Sequence, residues 1–189
     1  HYNLISALHK SIRGSDPDAA LYWLARGLDG GEDPRFIARR LLRMALEDVG
    51  LADPQAQSIC LYAWQSFERL GSPEGELALA QAALYLALAP KSNASYKGFN
   101  LSLDLVKKTG SEPPPKHILN APTDLMKDQG FGAGYEYDHD REDGFSGQNY
   151  FPEKIGRLSA YKPVERGFER ELKKRISYFK NLRDKRKSN

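Results

Sequence analysis

Residues Gly75–Ala89 read GELALAQAALYLALA and run directly into Pro90-Lys91-Ser92-Asn93. Leu77, Leu79, Leu84, Leu86 and Leu88 are split among Ala78, Ala80, Ala82, Ala83, Ala87 and Ala89. At 3.6 residues per turn this pattern leaves no wide polar face, since only Gln81 and Tyr85 carry polar atoms after Glu76. A helix that is apolar all round lies in a protein core or in a bilayer, and this run is shorter than the roughly 20 residues a bilayer demands. The stretch therefore predicts the central helix of an all-α domain, with all five leucines inside. Each buried leucine contributes on the order of 1.5–3 kcal/mol. Leu84→Asp in its middle is expected to unfold the domain. Ser72 reads as the N-cap, Pro73 as the first helical position, Glu74 and Glu76 as the acidic first turn, and Pro90 as the stop.

Working outward, the same punctuation recurs. Asp16-Pro17, Asp33-Pro34 and Asp53-Pro54 repeat the cap-then-proline start, and Gly30-Gly31, Gly50 and Gly71 supply the stops. The pattern predicts helices over about 2–13, 17–28, 34–49, 54–70 and 74–89, and a sixth over 92–108 bearing Tyr96, Phe99, Leu103 and Val106. Short links force consecutive helices into roughly antiparallel neighbours. The fold class is thus all-α, an antiparallel helical array. Beyond Thr109 the texture changes. Gly110 to Pro115 reads as a stiff linker, Thr123–Gln129 as a short helix, and residues 135–151 alternate weakly enough to allow a short β-hairpin. A last helix over 164–183 carries Val164, Phe168, Leu172, Ile176 and Phe179, with Glu169–Lys173 and Glu171–Arg175 as i,i+4 pairs.

Net charge is +3, unevenly spread. Residues 162–189 hold eleven Lys/Arg against four Asp/Glu, so the body before them is acidic. A basic C-terminal helix of this kind either meets nucleic acid, through Lys173, Lys174, Arg175, Lys180 and Arg183, or is a solvated amphipathic helix. Lys10, Arg13, Arg39, Arg40 and Arg43 form a second basic patch if helices one and three are neighbours, with Glu47 or Asp48 competing for them.

No phosphate cradle of the P-loop type is present, because Gly30-Gly31 and Gly130–Gly134 lack the lysine and Ser/Thr it requires. The one dense group of possible metal ligands is Asp138, His139, Asp140, Glu142 and Asp143; it reads more simply as a polar turn than as a metal site or the centre of a metal-dependent enzyme. Cys60 reads as an inert buried thiol, and as the single cysteine it fits a reducing compartment. Ser6 and His9 share a helix but lack a visible acid partner. No catalytic, cofactor-binding or metal-binding residue is therefore expected. A chain opening on His1 rather than Met is expected to be part of a longer protein.

Several strings in order go beyond generic helices. They include His1–Ser11 (HYNLISALHKS), Arg13–Arg26 (RGSDPDAALYWLAR), Gly31–Pro34, Glu47–Pro54 (EDVGLADP), Pro73–Gln81, Ala89–Ala94 (APKSNA) and Asn120–Thr123. Together they resemble the C-terminal half of the RarA/MgsA family of AAA+ ATPases, which includes the Werner-helicase-interacting proteins. The resemblance implies a clamp-loader-collar-like segment over 1–70 and a family-specific oligomerisation domain over 71–189, packed as one unit. It implies a homotetramer of a cytoplasmic, DNA-dependent ATPase that acts in replication-fork maintenance, recombination and repair. ATP and magnesium are then expected in the AAA+ core, DNA through the full-length protein, replication proteins as further partners, and no membrane. Aromatic side chains off the core stripes, Tyr22, Trp23, Trp64, Tyr150 and Phe151, are the expected contacts between copies.

Overall fold

The computed structural model describes residues 2–189. Every regular element among them is helical: α1 Tyr2–Arg13, α2 Pro17–Asp29, α3 Pro34–Met44, α4 Gln55–Leu70, α5 Glu76–Leu88, α6 Ala94–Thr109, α7 Asp124–Asp128 and α8 Glu169–Lys187. The all-α reading therefore holds. No helix among the described residues is long and apolar enough to cross a membrane. The caps form as the Asp-Pro pairs suggest. Asp16 accepts from Ala19 N at 2.9 Å and Asp33 from Arg35 N at 2.9 Å. Asp53 accepts from Gln55 N at 3.0 Å and also receives the Tyr85 hydroxyl at 2.5 Å.

The chain divides into two compact units. The first comprises the chain up to Phe99 together with Tyr161–Lys174; the second comprises Asn100–Ala160 and Arg175–Asn189.

In the first unit α5 is the hub, touching α1, α2, α3 and α4. Leu79, Ala82, Ala83, Leu86 and Ala87 are fully buried, against Leu8 and Ile12 of α1, Leu24 of α2, Ile37 and Leu41 of α3 and Cys60 of α4 within one continuous core. The expectation that every leucine of the stretch is inside fails. Leu77 is 64% and Leu88 68% exposed, and Leu84 is half-buried. Four helices cover one side of α5 and leave the other open, so Leu84→Asp places its charge where water reaches it.

Three other starts and stops differ from the sequence pattern. The central helix begins at Glu76, not at Pro73, because residues 71–75 fold back on the end of α4. Gly75 N reaches Gly71 O at 2.5 Å, and a Cβ at Gly75 would lie 2.8 Å from the Phe67 backbone. Helix α3 stops being regular at Met44 and continues as a π-helical turn over Ala45–Val49 and a 3-10 turn over Gly50–Ala52. The Ser92 N–H docks on the Asp48 carbonyl there at 2.8 Å, and Gly50, at φ +53°, leaves room for the Ser92 carbonyl.

Helix α8 starts at Glu169 rather than at Val164, because residues 161–168 form a strap across the hub. Phe168 N donates to Ala52 O at 2.8 Å and Arg166 Nε to Lys91 O at 2.7 Å. Gly167 (φ +57°) packs so closely that a Cβ would lie 2.2 Å from Ala52 O. Glu169 is fully buried and accepts from the Tyr161 hydroxyl at 2.6 Å, and Lys173 pairs with Glu165 at 2.6 Å instead of with Glu169.

The second unit is built from turns. No strand forms over 135–151, which corrects the hairpin expectation. Positive φ at Gly144 and Gly147 breaks the extended run. The Gln148 side chain takes the place of a partner strand, accepting from Glu136 N at 2.9 Å and donating to Glu136 O at 2.6 Å. Phe145 packs on Phe179 at 5.3 Å, with the guanidinium groups of Arg183 and Arg186 over its ring at 5.5 and 5.1 Å. Arg186 also grips both carboxylate oxygens of Asp143 at 2.8 and 2.9 Å.

Chemical denaturation should separate the two sides of α5. Leu86→Ala is expected to cost about 2–5 kcal/mol, and Leu77→Ala no more than about 0.5 kcal/mol. Gly167→Ala should lower the melting temperature more than Gly71→Ala does. Both positions have positive φ, but the space around Gly71 is open.

Candidate functional site

The contact of α1 with α3 brings His9, Arg13 and Arg40 to the π-helical turn that carries Glu47 and Asp48. A π turn inserts an extra residue into the helical ladder and re-aims its side chains; here Asp48 turns inward and is buried. His9 Nε2 lies 2.5 Å from Asp48 Oδ2, and Arg13 Nε donates to Asp48 Oδ1 at 2.8 Å. Arg40 Nη2 lies 3.3 Å from His9 Nδ1. Arg13 Nη2 also approaches His9 Nε2, at 3.1 Å. Both ring nitrogens are thereby engaged, so His9 has no free nitrogen with which to activate Ser6. Burial pushes the Asp48 carboxyl up, but the hydrogen bonds from His9 and Arg13 outweigh it and hold the group below the usual carboxylate range. Glu47 sits between Arg43 at 3.3 Å and Arg13 at 3.8 Å.

Beside this cluster opens a cleft of about 440 Å³. It is lined by Arg13, Glu47 and Asp48, by the Lys91–Asn93 link, and by Tyr96 and Arg166. Lys91 Nζ donates to the Ala87 and Ala89 carbonyls at 2.9 and 2.6 Å, capping the end of α5. Burial pulls this ammonium below the ordinary lysine range, while Asp48 opposes the shift.

A family model described as MgsA AAA+ ATPase C terminal matches residues 14–180. The chain belongs to this MgsA C-terminal family. Among its relatives is Replication-associated recombination protein A of Coxiella burnetii, 54% identical over 99% of this chain and 43% of that protein. The protein of the same name from Escherichia coli is 48% identical over 94% of this chain and 40% of its own length. ATPase WRNIP1 of Dictyostelium discoideum is 46% identical over 82% of this chain and 18% of its own. The chain thus spans less than half the length of these relatives, and the family resemblance read from the sequence is correct.

The MgsA C-terminal chain places the other expected residues as follows. Of the basic set on α8, Lys174 and Lys180 are exposed, as is Arg175, while Lys173 is held by Glu165. Arg183 is half-buried over Phe145, and burial lowers its guanidinium from the ordinary arginine range. Of the aromatic set, Tyr22 is 54% exposed and meets Trp23 edge-on at 5.0 Å. Trp23 and Trp64 are half-buried against the core, with Trp64 Nε1 3.3 Å from Glu68. Tyr150 is exposed, its hydroxyl on Asp138 at 3.3 Å, and Phe151 lies under Arg157 at 5.9 Å.

Asp138 accepts from Ser146 N at 2.8 Å, and Asp143 is taken by Arg186, so those carboxylates organise their own loop. No three His, Cys, Asp or Glu side chains among the described residues are placed to hold a metal ion. Cys60 is buried with its thiol pushed up to about 12 by desolvation, and its Sγ lies 3.6 Å from Leu41 O. Sequence reasoning named Asp48 only as a competitor for arginines and missed it as the partner of His9. Asp48 and His9 are 39 residues apart in the chain, and only the π turn aims one at the other.

The depressed Asp48 carboxyl contributes stability that is complete above its unfolded pKa near 3.9 and is lost as pH falls through the lower folded value. Asp48→Asn is therefore expected to lower the melting temperature clearly at pH 7. The gap to wild type should narrow steadily below pH 4 in a calorimetric series.

Proposed function

We propose that this chain is a non-catalytic assembly region that holds the subunits of a AAA+ ATPase together as a homotetramer in replication-fork maintenance and recombination. ATP and magnesium belong, on this reading, to the AAA+ core, and contact with DNA and replication proteins to the whole ATPase in the cytoplasm. Family membership and the names of the relatives support the setting.

The observation that carries the assembly role is α6. Tyr96, Phe99, Leu103 and Val106 follow a 3-4-3 spacing, the seam of helix-to-helix pairing. All four are exposed, Phe99 at 66% and Val106 at 61%. Within neither unit does α6 pack extensively on another helix. A seam of this kind left open costs solubility unless a like helix covers it, and four such helices suit bundle packing. Tyr22 and Tyr150, both exposed, remain candidate contacts between copies.

The alternative, a DNA-binding module using α8, is weaker. Lys173 already has Glu165, and Arg183 is spent on Phe145.

Sedimentation at micromolar concentration should give a tetramer for the wild type and smaller species for Phe99→Asp with Val106→Asp, with helical content unchanged. A monomeric wild type, or a double variant that stays tetrameric, would refute the assembly reading.

A further inference from the structure

We propose that the cleft between α1, the π-helical turn, the α5–α6 link and the strap binds a phosphate group, carried by a nucleic-acid backbone or by a free nucleotide. Three cationic side chains line it, Arg13, Lys91 and Arg166. The two carboxylates that also line it are neutralised in place. Asp48 has His9 on one oxygen and Arg13 on the other, and Glu47 is shared by Arg13 and Arg43. Arg13 and Arg43 balance the two carboxylates, so the surplus positive charge of the cleft is that of Lys91 and Arg166, with Arg40 nearby on His9.

The donors left over point to the same ligand. Arg166 spends only Nε, on the Lys91 carbonyl, which fixes the guanidinium and leaves its Nη groups without partners among the described residues. The Asn93 amide and the Tyr96 hydroxyl, both on the cleft, also make no hydrogen bond there. A fixed, planar guanidinium with open Nη donors matches the oxygen spacing of a phosphate. Lys91 Nζ bonds only to backbone carbonyls and the Ser15 hydroxyl, with Asp48 as the charge already acting on it, so a further anion in the cleft would add a favourable charge contact. The positive end of α6, which starts at Ala94, adds to the field. A volume of about 440 Å³ admits a phosphate with its attached sugar. The site is distinct from the basic residues of α8, and the inference stands without the assembly reading.

The test uses the 189-residue chain. Anisotropy of a labelled 20-nucleotide single strand is read across salt concentrations, and pyrophosphate binding is read by calorimetry. Arg166→Gln and Asn93→Asp are compared with wild type, and a Lys173, Lys174, Arg175 triple-glutamine variant serves as the α8 control. Each cleft variant is expected to weaken phosphate binding roughly tenfold, the loss of one charge-assisted hydrogen bond. Arg166→Gln should also flatten the slope of log K against log salt by about one. The α8 control should keep the full effect of the cleft substitutions when combined with them. Losses confined to the strand identify a backbone phosphate, and losses confined to pyrophosphate identify a free nucleotide; either supports the site. Wild-type affinity in Asn93→Asp, whose side chain gives up no internal contact, would overturn it, as would absence of binding to both probes. Light scattering on the same variants should return the wild-type mass, which keeps a failure here separate from a failure of self-assembly.

Discussion

Close approach of four helices to one small-residue face of α5 is the constraint on which the first unit rests. Ala82, Ala83 and Ala87 have no side chain beyond Cβ, so neighbouring helices come near the backbone while Leu79 and Leu86 fill the spaces between them. One hub with four neighbours fixes where the ends of those neighbours fall. The end of α1 and the end of α3 must then meet, and they bring His9 and Arg13 to Asp48. The hub's own C-terminal end must be tied down as well. Lys91 caps it, the Ser92 N–H takes the free carbonyl of the π turn, and the strap crosses it at Gly167.

The buried ionic cluster follows from that packing and helps define it. An isolated buried carboxylate is costly, and a buried ion pair offsets its desolvation only with good geometry and further hydrogen bonds. Asp48 has both, on each oxygen. Both partners, His9 and Arg13, come from α1 while Asp48 sits on the turn that continues α3, so a slip of α1 along α3 by one turn would strand the charge. The cluster thus penalises alternative packings of two helices whose apolar stripes alone would tolerate sliding. Arg40 Nε, buried without a partner, is the remaining cost.

How far the sequence could be read depended on the range of the interaction. The first four helices were legible because Asp16, Asp33 and Asp53 act on backbone two or three residues away, and because an i, i+3, i+4 stripe is a local pattern. The polarity of α5 was not. Thirteen residues without a polar face cannot state which side a neighbour will cover, so Leu77, Leu84 and Leu88 were misplaced. The start of α8 was hidden for a similar reason. Val164 and Phe168 fit its stripe, but Gly167 must reach the carbonyl of Ala52, and no local rule contains that contact. The hairpin failed where two glycines with positive φ broke an alternation that was weak from the start. The cleft draws on residues from Arg13 to Arg166; Arg13 with Glu47 and Asp48 was in view as a charged patch and APKSN as a resemblance, but no local rule brings them together with Arg166.

Tyr96 belongs to two surfaces at once. It opens the exposed seam of α6 and it lines the cationic cleft. If the cleft takes a phosphate and the seam pairs, as proposed, the two events share this one side chain and each bears on the energy of the other. If a phosphate holds the Tyr96 hydroxyl toward Arg166, the ring is ordered before a second helix arrives, and less rotamer entropy is lost on association. Linkage then requires the reverse, that pairing of α6 tightens phosphate binding by the same factor. The sign turns on a geometric point within one helix: a hydroxyl directed into the cleft leaves the ring face free for the seam, whereas a ring drawn fully into the cleft would remove the seam's first contact.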